Sequence, residues 1–510
     1  MTHPQKVKKV FIKCYNPFRL NAALADFNYH PIKRPIVPSG PFPGVRVVQR
    51  ATSNANPSDR LSWLTILGFG QLAVPLAFAG LPIAVFVSKF YAEDLKINIE
   101  TVGLILLVAR LADFIVDPII GYASDRTTWS LGRRRTWVLL GAPIFALGIY
   151  MLFLPPPGAD ETHLLIWIAV FYLGWTMITI PYGAWGAELS GDYNERSRIT
   201  GVREIFTLVG LALAGAIPVI VGTGAVEGTA GSGGYWNAMA VLGWTIIALT
   251  PVGVAIMFAS TPEPPYGSTQ HVSVWKGAKA AISNLPFLRL FFATLFVRVA
   301  SRAAEVLFLF YMVDAVGLTK AQGNHFPLAL IVSAIVFAPL WIWLGGVITK
   351  HKALSLAMMM GVGVFATLPF LQASGYWPNL ILFAVLGAAF SAPYTLGQSI
   401  AADVVDLDSL KTNEPRAGLL ISFFGLAIKG GDAVGAGFAL ILVGYLGFDS
   451  ASTVKSPESI SALTNVFSLL PIAFYVPAIA LLWTFPITPE VQRRIRTLIE
   501  QRMLRAPRKA

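Results

Sequence analysis

The run ARLADFIVDPIIGYASDR carries Arg110, Asp113 and Asp117 inside an otherwise apolar segment. Spacings of three and four project all three side chains from one face of a helix. A charge near the centre of a bilayer costs about 2.5 to 3.5 kcal/mol even on lenient insertion scales, so it turns to the interior of a bundle and takes a partner. Two carboxylates that close do not both stay ionised in a low dielectric: one takes a proton, or both surround a cation. Arg110 offsets one acid and leaves the other to be balanced. The chemistry implied is reversible binding of H⁺ or Na⁺. The bland alternative is a static Arg–Asp pair that only holds helices together, and two acids against one base argue against it.

Three further segments place polar groups at the same depth. GWTMITIPYG has Thr176 and Thr179 three apart, so their hydroxyls share a face. Such a hydroxyl bonds back to its own helix or serves as an oxygen ligand to a hard cation. FFATLFVRVASRAAEVLFLFY carries Arg298, Arg302 and Glu305, and ISFFGLAIKGGDAVGAG carries Lys429 and Asp432. Internal pairing, Arg302–Glu305 and Lys429–Asp432, is one reading. The other is a positive wall facing the acids of the first half, suited to an anionic or polyhydroxyl substrate.

These residues need long membrane helices to hold them. The chain has 510 residues, 55% hydrophobic and 13% charged, with mean hydropathy +0.63, whereas a soluble chain carries about a quarter charged residues. Twelve apolar spans are expected, near 62–88, 99–123, 137–154, 163–187, 201–222, 236–259, 286–313, 324–348, 353–373, 378–402, 417–446 and 461–485. No removable signal peptide is expected. With both termini cytoplasmic, 31 of the 39 Lys and Arg fall inside and only Lys89, Lys96, Lys320 and Lys455 outside, in accord with the positive-inside rule. That topology explains the net charge of +12 without nucleic acid. The single cysteine, Cys14, excludes an internal disulfide. No nucleophile–base pair, phosphate loop or metal-ligand cluster is evident, so neither an enzyme nor a cofactor is expected.

The chain divides into a basic, disordered cytoplasmic tail (1–60), a six-helix bundle (61–260), a cytoplasmic loop (261–285), a second six-helix bundle (286–486) and a basic tail (487–510). Span four and its loop, TIPYGAWGAELSGDYNERSRITG, echo span ten, SAPYTLGQSIAADVVDLDSLKTNEPRAG. Each has a Pro-Tyr pair, an acid near the cytoplasmic end (Glu188; Asp403), then Arg and Gly (Arg198, Gly201; Arg416, Gly418). A six-span repeat around a midplane site is the major facilitator architecture. The loop GYASDRTTWSLGRRRTW resembles the signature loop of that superfamily, which implies gating salt bridges for Asp125, Arg126, Arg133 and Arg134.

RLADFIVDPIIGYASDRT, IPYGAWGAELSGDYNERSRITGVRE, AADVVDLDSLKT and KGGDAVG, in this order from about Leu61 to Phe485, together resemble the glycoside–pentoside–hexuronide:cation symporters, the melibiose permease family. The resemblance implies cation ligands at Asp113, Asp117 and Thr176, a sugar-side arginine at Arg203, and a lysine between the two sites at Lys429; Arg110, which offsets one of the two acids, is assigned to coupling from that charge balance. The family's permeases have an asparagine where this chain has Val116, which favours H⁺ over Na⁺. Pro75, Thr179 and Gly183 stand where galactoside-binding residues are found, and Arg298 and Arg302 where neutral ones are. The expectation is a symporter of the bacterial inner membrane for a glycoside or sugar acid such as a hexuronide, with Thr179, Arg203, Arg298 and Arg302 at the substrate. A lysolipid or amphiphile carrier, since a vertebrate lysolipid branch also resembles the family, and a non-transporting membrane sensor are the alternatives. An apolar lateral opening favours the amphiphile.

Overall fold

The computed structural model describes residues 60–190, 193–221, 236–263, 281–412, 417–452 and 454–505. The tail expected over 1–60 lies almost wholly outside them, as do Arg416 and most of the loop at 261–285. The helices are α1 (Trp63–Asp94), α2 (Ile99–Arg126), α3 (Arg133–Phe153), α4 (Glu161–Glu188), α5 (Tyr193–Val221), α6 (Trp236–Ser260), α7 (Leu285–Phe310), α8 (His325–Val347), α9 (Lys350–Leu371), α10 (Tyr376–Thr412), α11 (Ala417–Tyr445) and α12 (Pro457–Trp483). A further helix, α13 (Pro489–Arg505), belongs to a separate compact unit.

Ten of these helices are long and apolar enough to cross a membrane. The two long helices that are too charged to qualify, α2 and α7, carry the charges singled out above. The twelve helices match the twelve expected spans in number and order, and the two that are not among the ten hold the polar chemistry. Helix α5 starts at Tyr193, well ahead of 201, and α10 runs to Thr412, well past 402. The additional turns are polar helix continuing beyond the apolar stretch, which hydropathy does not detect.

Packing repeats with a period of six helices. In the first half α3 lies on α4 and α6, α2 on α4, and α1 on α5 and α6; in the second half α9 lies on α10 and α12, α8 on α10, and α7 on α11 and α12. The halves meet where α2 packs on α11, α1 on α7 and α5 on α8. The local structure repeats too. Helices α1 and α7 both end in a π-helical turn, Phe90–Asp94 and Tyr311–Ala315. At one end of the bundle, Arg133 opens α3 and pairs with Glu188 at 2.7 Å, while Lys350 opens α9 and pairs with Asp403 at 2.6 Å. The two acids of the sequence repeat thus do the same structural work in each half.

Helix α1 is broken at Gln71, which a spanning helix tolerates only if the freed backbone groups find partners. Tyr182 donates its hydroxyl to Phe69 O at 2.9 Å, and Gln71 Nε2 donates to Gly68 O at 3.3 Å while also reaching Gly253 O of α6 at 2.5 Å. The Pro-Tyr motif of α4 is therefore a staple for α1.

Candidate functional site

The site is assembled where α2 and α11 cross. Asn98 starts α2 by accepting the Glu100 N–H at 2.7 Å, satisfying one orphan donor of the first turn. The helices approach closely because Gly103 faces Gly437: a Cβ on Gly437 would lie 2.5 Å from Leu107 Cβ and 2.9 Å from Gly103 O. This contact brings the charged face of α2 against the charged turn of α11.

Asp117 is the junction of three helices. Thr176 of α4 donates its hydroxyl to Asp117 Oδ1 at 3.1 Å. Lys429 of α11 makes an ion pair with Asp117 Oδ2. Asp113, 3% exposed, lies one turn away with Arg110 at 3.7 Å. Arg110 also lies over the ring of Tyr172, 4.3 Å from its centroid. Asp113, Asp117, Thr176, Arg110 and Lys429 thus meet in one place.

The second-half charges are sorted differently from the expected pairing. Lys429 does not pair with Asp432, because the α2–α11 crossing puts Asp117 nearer its ammonium. Asp432 instead takes Arg298 through a two-pronged contact, Nε–Oδ1 and Nη2–Oδ2 both 2.8 Å, the strong geometry for a guanidinium and a carboxylate. Arg298 Nη1 also donates to the Tyr394 hydroxyl at 2.9 Å. Arg302 pairs with Glu305 at 2.8 Å, as the spacing of three suggested. Four bases and four acids therefore stand in four pairs, and the acid surplus on α2 is met by a lysine from the other half.

Two cavities adjoin this network. The first, about 170 Å³, is lined by Arg110, Arg298, Arg302 and Glu305 with the rings of Tyr172 and Trp175. The second, about 300 Å³, lies among α5, α8 and α10 and is almost wholly apolar, walled by residues such as Leu208, Ile331, Leu386 and Phe390. Leu81, Leu211, Glu305 and Tyr394 line both. Thr179 and Arg203 line neither. Thr179 lies almost a turn beyond Thr176, and the Arg203 guanidinium lies on its neighbour Glu204 at 2.9 Å.

The signature-loop residues make contacts within the first half rather than between halves. Arg134 reaches Glu188 at 2.6 Å and Asp125 at 2.7 Å, and Arg126 stacks on the Tyr122 ring. Glu263, at the end of α6, accepts the Arg134 backbone N–H at 2.7 Å, capping α3, whose N-cap Gly132 has no side chain to do so. The ion pairs seen to cross between halves lie at Asp117–Lys429 and at the opposite end, where Lys89 meets Asp314 and Lys320 approaches Glu93.

The sequence reading missed Tyr172, Trp175 and Tyr394. The repeat held a signal for the last: Tyr182 and Tyr394 occupy equivalent Pro-Tyr pairs, yet Tyr182 is buried against α1 while Tyr394 is 58% exposed and faces both cavities.

A family model described as MFS/sugar transport protein matches residues 67–489. The chain belongs to this family. It is an integral membrane transport protein of the major facilitator fold, not an enzyme. An uncharacterised symporter of Synechocystis sp. is 25% identical over 87% of this chain and 98% of its own length. The sodium-dependent lysophosphatidylcholine symporter 1-A of Danio rerio is 24% identical over 82% of this chain and 84% of its own. The glucuronide carrier protein homolog of Escherichia coli K12 is 22% identical over 87% and 97%. Among solved structures, a bacterial homolog of the human lysosomal transporter Spinster, in an inward-facing and unoccupied conformation, superposes with TM-score 0.61 at 14% identity, over 86% of this chain and 97% of that one. A D-xylose–proton symporter gives 0.57 at 13%, over 84% and 97%.

Proposed function

We propose that this chain is a cation-coupled symporter of an amphiphile with a polar, anionic head. The observation that carries this reading is the pair of adjoining cavities that share Leu81, Leu211, Glu305 and Tyr394 as walls, one polar and lined by three guanidinium groups, the other apolar and nearly twice as large. The head group fits the first and an acyl-like tail the second, with Tyr394 and Glu305 at the seam. A wholly hydrophilic glycoside leaves the apolar cavity unused.

Asp113, Asp117 and Thr176 hold the coupling ion. Lys429 lies on Asp117 as a tethered cation. An arriving ion displaces the ammonium, which breaks a tie between the halves and frees Lys429 to face the polar cavity. Ion and substrate then favour the same state, and each raises the affinity for the other by linkage. Val116, beside Asp117, brings no oxygen to the site, so H⁺ is the coupling ion proposed over Na⁺. Arg298 and Arg302 form the substrate wall, each neutralised until a substrate anion competes for it. Thr179 and Arg203, near but outside the cavities, tune the site indirectly. Asp125, Arg126, Arg133 and Arg134 stiffen the end of the first half that rocks. The arginine-rich end faces the cytoplasm, as do both termini, in a bacterial inner membrane.

A second reading, an anionic glycoside such as a hexuronide, is favoured by the same three guanidinium groups. Uptake into proteoliposomes decides between them. A single-chain phospholipid and a glucuronide, both labelled, are offered under an H⁺ gradient, a Na⁺ gradient and neither. Gradient-driven uptake of the phospholipid alone supports the amphiphile; uptake of the glucuronide alone overturns it. No uptake of either removes both.

A further inference from the structure

The four lysines that break the positive-inside pattern are Lys89, Lys96, Lys320 and Lys455. The structure gathers them at the end of the bundle opposite the arginines, and three of them reach across between the halves. Lys89 is fully buried; its ammonium bonds Glu93 on its own helix and Asp314 of the other half at 2.8 Å, with the Phe310 ring 4.5 Å away. Lys320 approaches Glu93 and Asp94 at 3.7 and 3.8 Å. Lys96 donates to Ala451 O in the loop after α11 at 3.0 Å. Lys455 holds that same loop through Asp449 O and Ser450 O at 2.7 and 2.8 Å.

The backbone at Lys96 is held in a conformation that costs a side-chain-bearing residue energy. Its φ is +61°, and it is the only non-glycine with positive φ among the described residues. The second half repeats the turn, π-helical segment, positive φ and helix cap in order, but with Gly317 at φ +79°. Glycine adopts this conformation freely and lysine does not. The strain is tolerated where the ammonium reaches the opposite half.

We propose that these lysines form an ionic latch that closes the outer end of the carrier, and that releasing it admits the outward-facing state. A fully buried ammonium between acids of both halves holds only while the halves touch. Two polar groups nearby point to a second state. The Ser88 hydroxyl and the Asn324 amide are buried and have no partner in the closed form. Buried polar groups are usually hydrogen-bonded, and opening this end hydrates both. The four outward lysines are then parts of a device, and not exceptions to the topology.

The test does not depend on which substrate is carried. Cys14 is the only cysteine, so C14S gives a background for A84C, a reporter on α1 that is 3% exposed and lines the polar cavity. A membrane-impermeant maleimide is added outside intact cells. The parent is expected to label slowly, and K89M and D314N about tenfold faster or more, as a minor open state becomes well populated. K96G serves where K89M fails to fold: glycine suits the turn, so thermal stability holds while labelling accelerates. Unchanged labelling in K96G together with folded K89M or D314N, or full-rate labelling of the parent, overturns the latch.

Discussion

Asp117→Asn is the most direct perturbation of the coupling site. The carboxylate ties α2 to α4 through Thr176 and to the second half through Lys429. Removing one member of a wholly buried pair costs about 3 to 5 kcal/mol. Here the side chains are 17% and 32% exposed, so screening brings the loss to about 1 to 3 kcal/mol. That range is also the usual size of a coupling free energy between two ligands, about 5- to 150-fold in affinity. The expectation is that the imposed ion gradient lowers substrate KM by such a factor in the parent and by almost none in D117N, which still equilibrates substrate downhill. The assay is initial uptake in proteoliposomes with and without the gradient. Lys429→Gln is the complement: with the tethered competitor gone, ion affinity rises while its effect on substrate affinity falls. Gradient-driven accumulation by D117N at the parental level would refute the reasoning, since among the described residues no other carboxylate touches both Thr176 and Lys429.

Thr176→Val removes one hydrogen bond that stabilises the ionised Asp117 carboxylate, about 1.5 kcal/mol, so with H⁺ as the coupling ion H⁺ affinity is expected to rise about tenfold without abolishing coupling, read from the pH dependence of uptake; a fall in affinity would instead mark the hydroxyl as a ligand to a metal cation. Glu188→Gln strips Arg133 and Arg134, 7% and 3% exposed, of their shared acid. A loss of about 3 kcal/mol is expected, at the low end because Asp125 still faces Arg134, and it appears as a lower Tm in detergent. Asp403→Asn, the equivalent change in the second half, exposes a lysine already 34% accessible and costs about 1 kcal/mol or less by the same measurement. Gly174→Ala places a Cβ 2.4 Å from Phe145 N and is expected to cost about 1 to 3 kcal/mol of stability. Gly183→Ala on the same helix meets nothing within 4 Å and stays within about 0.5 kcal/mol of the parent.

Much of the molecule is legible in the chain because bilayer physics acts locally. Each span must satisfy its backbone within itself and face lipid with apolar side chains, so twelve spans and the charge asymmetry of their loops follow from composition alone. A buried charge is conspicuous for the same reason, which is why Asp113, Asp117 and Lys429 stood out before any contact was known. Partner choice is a different matter. Nothing in the run KGGD says that Lys429 passes over Asp432 for an aspartate 312 positions away; the glycine contact between α2 and α11 decides it. Nor does a Pro-Tyr repeat say that Tyr182 staples α1 while Tyr394 faces the cavities. The apolar cavity was invisible because its walls come from six helices, chiefly α5, α8 and α10, whose residues read individually as lipid-facing. The amino-acid sequence determined which elements cross the membrane and which charges need an answer. The tertiary structure decided which charge answers which, because ion pairs and cavities arise between helices, and helix packing fixes distances that no single segment contains.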